Sequence, residues 1–172
     1  MPSNSVQLAV VGAAECSNEI GRISFDIGCE LARRGAVLLC GGRSGVMEQA
    51  CRGARTEDGL TVGILPGSNR LTSAPNPHLT LTIHSGMGQA RNQILVLSAA
   101  AIIAIAGGWG TLSEIALALK HRVPVVTVAG WCLERPDQKP DPLLLAAPEP
   151  HDAAAIVALA IESAVTANRL PS

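Results

Sequence analysis

The chain has 172 residues, 48% of them hydrophobic, enough to close a single core, and a net charge of −1. With no run of Lys or Arg it carries no electrostatic footprint for nucleic acid or an anionic membrane, so neither is an expected partner. Its longest apolar stretch, 95–106, stops at Gly107-Gly108, short of the ~18 to 20 apolar residues of a membrane span, and Met1-Pro2-Ser3-Asn4-Ser5 has no signal-peptide character, so a cytoplasmic location is expected.

Short apolar runs alternate with longer amphipathic ones along the chain, the pattern of β-α units on a parallel sheet. Strands are predicted at 6–12, 36–40, 61–65, 79–83, 101–106 and 123–128. Helices are predicted at 18–34, 45–55, 88–98 and 111–121, with an Ala-rich last helix at 151–168 begun by Asp152. The expected fold is α/β: one domain over 1–172, a three-layer αβα sandwich of Rossmann-like type with a mostly parallel sheet. Two stretches break the alternation. The segment 66–78, rich in Pro, Asn and Ser, reads as a lid over a site. The segment 134–150, with Pro136, Pro140, Pro142, Pro148 and Pro150, reads as a surface connection.

Right-handed crossovers put every strand-to-helix turn at the carboxyl edge of such a sheet, where ligands bind. Two glycine-rich turns fall there. Gly41-Gly42-Arg43-Ser44-Gly45 follows a buried-looking strand and opens a helix, so its amides and the helix dipole suit a phosphate; the alternative is a tight turn capped by Ser44. Gly107-Gly108-Trp109-Gly110-Thr111 repeats the arrangement. Glu114 is either a site residue or the far end of a Thr111-x-x-Glu114 capping box. Arg91, in the first turn of the helix predicted from Gly88, is a cation where the dipole disfavours one, which points to an anionic ligand or to an ion pair with Glu114. Trp109 either stacks on a flat ring or packs beneath its loop. Gly12 at the end of the first strand, Met87, and Asn92 beside Arg91 complete the candidate ligand contacts.

Other chemistries lack their residues. The turn Gly12-Ala13-Ala14 is not G-x-G-x-x-G, and no Walker A or G-x-S-x-G motif occurs. Only Lys120 and Lys139 could form a pyridoxal Schiff base, and neither is well placed, so lysine decarboxylase chemistry is not expected. Five cysteines without a C-x-x-C pair, and four histidines without helical pairing, read as reduced thiols with no metal site.

Gly41-Gly42-x-x-Gly45-Val46-Met47, Ala90-Arg91-Asn92 and Gly107-Gly108-Trp109-Gly110-Thr111-Leu112-Ser113-Glu114 together resemble a Rossmann-like superfamily. It includes molybdenum cofactor carrier proteins and the LONELY GUY phosphoribohydrolases, long misnamed lysine decarboxylases. Arg91 and Glu114 match the hydrolases' substrate-binding and catalytic pair. Ala106, Ala90 and Asn92 stand where those enzymes have Pro, Glu and Lys, which is more similar to the carrier branch. The resemblance implies a binding or carrier protein for a phosphorylated nucleotide- or pterin-type ligand, needing no cofactor of its own, with molybdenum cofactor or a nucleoside monophosphate as the bound molecule. Its alternative is hydrolysis of a nucleoside 5′-monophosphate to base and ribose 5-phosphate, with Glu114 and Arg91 catalytic. It also implies a homo-dimer or homo-tetramer.

Overall fold

The computed structural model describes residues 5–134, 141–167 and 169–170. Among them seven strands form one all-parallel sheet: β1 (Gln7–Gly12), β2 (Val37–Cys40), β3 (Thr61–Leu65), β4 (Leu81–His84), β5 (Ala101–Ile105), β6 (Val125–Val128) and β7 (Leu144–Ala146). The spatial order β4-β3-β2-β1-β5-β6-β7 runs outward from β1 and then returns to β1's other side, so the order reverses between β1 and β5. A reversal of that kind opens a crevice at the strands' carboxyl ends.

The central strands are almost wholly apolar because both of their faces are covered; every residue of β5 and β6 is buried, Thr127 being the one polar side chain among them. Leu8 and Val10 of β1 pack under α1 (Asn18–Arg33), α2 (Val46–Thr56) and α5 (Ala153–Thr166). Ala9 and Val11 pack on the opposite layer, under α3 (Asn92–Ser98) and α4 (Trp109–Lys120). The result is the expected three-layer, Rossmann-like sandwich.

Several boundaries differ from the sequence expectation. The helix expected at 88–98 is a short 3-10 turn, Gly88–Arg91, followed by α3, because Gly88 takes a positive φ of 56° that an α-helix does not accept. The connection expected at 134–150 holds a seventh strand, β7, which pairs with β6; Pro136 and Pro140 lie outside the described residues, as do Asn168 and the first four residues. The segment 66–78 is tied to the first glycine turn. Its Asn76 donates a backbone N–H to the Gly42 carbonyl and its side-chain amide to the Arg43 carbonyl, bracing the first glycine turn. Among the described residues no helix is long and apolar enough to cross a membrane.

Candidate functional site

At the carboxyl ends of β1, β2 and β5, three turns and the 3-10 turn enclose a cleft of about 240 Å³. Gly12, Ala13 and Ala14 form its floor, Gly108, Gly110, Thr111 and Glu114 one wall, Arg43 and Met47 another, and Gln89, Arg91 and Asn92 close it. Of the residues singled out in the sequence, Gly12, Arg91, Asn92, Gly108, Gly110, Thr111 and Glu114 therefore meet in one place. Gly41, Gly42, Ser44, Gly45, Met87, Gly107 and Trp109 do not line it. Arg43, Met47 and Gln89 do, unforeseen; Arg43 stood inside a quoted motif, and its cationic side chain was the available signal.

The two glycine turns prove unequal. In the first, Gly42 N–H donates to the Cys40 sulfur, Val46 N–H to the Ala13 carbonyl, and the Ser44 hydroxyl to the Ala14 carbonyl. Ser44 is thus a tie between turns and not a helix cap; the N-cap of α2 is Gly45, held at φ 69° so closely over Ala13 and Ala14 that any Cβ would strike their backbone. The second turn is open. The N-cap of α4 is Gly108, and among the described residues no side chain caps its first-turn amides. Thr111 therefore sits inside the helix, and no capping box forms. Glu114 lies a turn further on and faces the cleft.

Arg91 and Glu114 are 6% and 8% exposed, yet their nearest approach, Nη1 to Oε1, is 3.9 Å, an ion pair too long for a hydrogen bond. Arg91 Nε and Nη1 and Asn92 Oδ1 are buried without a hydrogen-bond partner among the described residues. Gly41 makes room for this guanidinium: a Cβ there would stand 2.8 Å from Arg91 Nη2. Burial lowers the Arg91 pKa, opposed by the charge of Glu114. Burial raises the Glu114 carboxyl to about 7, with Arg91 pulling the other way. In both groups desolvation outweighs a pair that is not in direct contact.

Among the described residues no group of three or more His, Cys, Asp or Glu is arranged to hold a metal, and the cleft lining contains neither Cys nor His. The cysteines are free thiols; Cys40 and Cys51 lie 3.6 Å apart, buried beneath the first turn.

A doubly wound, all-parallel sheet with a cleft at its switch point places the chain in the Rossmann-like class of α/β proteins. Residues 5–154 match the model of the SLOG cluster4 family, and the chain belongs to that family. It is 41% identical over 140 residues, 77% of this chain and 91% of the other, to an uncharacterized protein of Archaeoglobus fulgidus. The molybdenum cofactor binding protein of Rippkaea orientalis superposes with a TM-score of 0.81 at 34% identity, covering 95% of this chain and 99% of that one. The molybdenum cofactor carrier protein of Chlamydomonas reinhardtii gives 0.78 at 31% identity, with the same coverage.

Proposed function

We propose that this protein binds or carries a phosphorylated ligand of nucleotide or pterin type, its phosphate resting in the cleft on Arg91, Arg43 and the open amides at the start of α4. The observation that carries this reading is the buried Arg91 guanidinium with two nitrogens unpartnered. A buried cation without hydrogen bonds is costly and persists where an anion completes it. The uncapped helix end adds a dipole of the same sign at the same place.

The likeness to two proteins named for molybdenum cofactor supports that molecule as the leading ligand. Its metal would arrive with it, since the cleft offers oxygen and nitrogen groups but no thiolate or imidazole. A cleft of about 240 Å³ takes a phosphate and part of what it is joined to, leaving the remainder at the rim.

A second reading is favoured by one observation, the Glu114 carboxyl poised at about 7, a value suited to proton transfer. In that case water adds to the anomeric carbon of a nucleoside 5′-monophosphate and the base leaves with a proton. Incubation of the protein with AMP, followed by chromatography, separates the two. Intact AMP is the expected result. Release of adenine and ribose 5-phosphate that disappears in Glu114→Ala would replace the carrier reading with the hydrolase.

A further inference from the structure

The turns after β5 and β6 share an unusual construction. Ala106 and Ala129, each one residue beyond its strand, have φ of 48° and 47°, a left-handed conformation that strains a non-glycine residue. Among the described residues the other two non-glycine residues with positive φ, Asp58 and Arg122, lie in helix-to-strand turns at the opposite edge of the sheet. A glycine follows each alanine, and Gly130 lies against the Ala106 backbone so closely that a Cβ on it would stand 2.9 Å from the Ala106 oxygen. Tryptophan follows in both turns, as Ala106-Gly107-Gly108-Trp109 and Ala129-Gly130-Trp131. The paired turns bring the two indoles together, with ring centroids 5.6 Å apart and planes at 43°.

These are two of the three aromatic residues in the whole chain. Trp131 is half-buried against the α3–α4 layer, its indole N–H enclosed and without an acceptor among the described residues. Trp109 is 80% exposed, so it does not pack beneath its loop. It stands between Gly108 and Gly110, both of which line the cleft and neither of which would have a Cβ neighbour within 4 Å. A large apolar ring is thus held in solvent, three residues after a strained alanine, between two glycines that line the cleft. Core packing explains none of these three features.

We propose that Trp109 is the ring subsite of this cleft: a flat heteroaromatic ring joined to the bound phosphate stacks on its indole, and Trp131 acts as a positioning residue that fixes the indole's angle. The proposal rests on the phosphate reading of the cleft and adds to it the ring selectivity. The cleft recognises the phosphate whatever it carries, and Trp109 separates ring-bearing ligands from bare sugar phosphates.

The test is a titration of native protein and Trp109→Ala with AMP, GMP and ribose 5-phosphate. Stacking of one base on one indole corresponds to about tenfold in affinity or more. Native protein is therefore expected to bind at least one of the two purine nucleotides about tenfold more tightly than ribose 5-phosphate, an advantage lost in Trp109→Ala, whose ribose 5-phosphate affinity stays within about twofold of native. Intrinsic fluorescence, which comes from the chain's two tryptophans, should respond to the nucleotides and not to ribose 5-phosphate. Trp131→Phe keeps a packed ring and should lower the nucleotide advantage only in part. Equal affinity for all three ligands in native protein, or a Trp109→Ala variant that retains the nucleotide advantage, overturns the ring subsite and leaves the phosphate reading standing. Failure of native protein to bind any of the three overturns both.

Discussion

Arg91→Met is expected to lower the affinity for AMP about 100-fold while leaving the Tm of the ligand-free protein unchanged or raised by a few degrees, because hydrogen bonds to charged groups contribute ~1.5 to 3 kcal/mol each. The two halves of this prediction come from the same geometry. The guanidinium is buried, its Nε and Nη1 have no hydrogen-bond partner among the described residues, and the ion pair from Nη1 to Glu114 stays open at 3.9 Å. In the ligand-free protein those groups are a desolvated charge with little return, and methionine fills a similar volume without the penalty. With an anion in place the same nitrogens become its donors. Calorimetric titration and thermal unfolding of the variant measure the two halves separately. Native affinity in Arg91→Met, or a variant that unfolds at room temperature, would mean that the arginine is a structural element of the core.

The second large effect concerns pH. Glu114 shares the cleft with Arg91 and with the exposed Arg43, and burial raises its carboxyl to about 7. Below that value it is neutral and Arg91 is free to meet an anion; above it, the carboxylate competes for Arg91 and repels the ligand. Affinity for sulfate, whose own charge is constant over this range, is therefore expected to fall as pH rises through about 7, by about tenfold toward pH ~8.5, given ~1.4 kcal/mol per decade. Glu114→Gln removes the competitor, so its profile should be flat and its affinity at high pH close to that of native protein at low pH. The same group acts on folding with a definite sign. A raised carboxyl holds its proton longer in the native than in the unfolded state, so its contribution to stability declines from the ordinary carboxyl range up to about 7 and is constant above. A native protein whose sulfate affinity does not change with pH would show that Glu114 does not face the bound anion.

Much of this site was legible before the fold was known, for a physical reason. Strands buried on both faces must be continuously apolar, and the glycines that end them mark where backbone approaches backbone, so 101–106 followed by Gly107-Gly108 announced both a strand and a cleft wall. Arg91 stood out because a cation at a helix start needs an explanation. What escaped depended on geometry that spacing does not encode. Thr111-x-x-Glu114 has the spacing of a capping box, but α4 begins two residues earlier, at Trp109, so Thr111 is interior and Glu114 is free to face the cleft. The two glycine turns looked alike, yet only the structure shows that amides of the first are taken by Cys40 and Ala13. β7 was hidden in a Pro-rich stretch because three residues at a sheet edge are too few to show a period. Arg43 and Met47 reach the cleft from the β2-to-β3 connection and Gln89 from the β4-to-β5 crossover, and spacing within either one does not show that they meet.

The most direct test of the central claim is a crystal structure of the native protein grown with AMP. The phosphate is expected in the cleft, within hydrogen-bonding reach of the Arg91 guanidinium and of the first-turn amides of α4, with Arg43 turned toward it. An AMP phosphate bound elsewhere, or an empty cleft in which Arg91 has closed onto Glu114 as a direct ion pair, would contradict it.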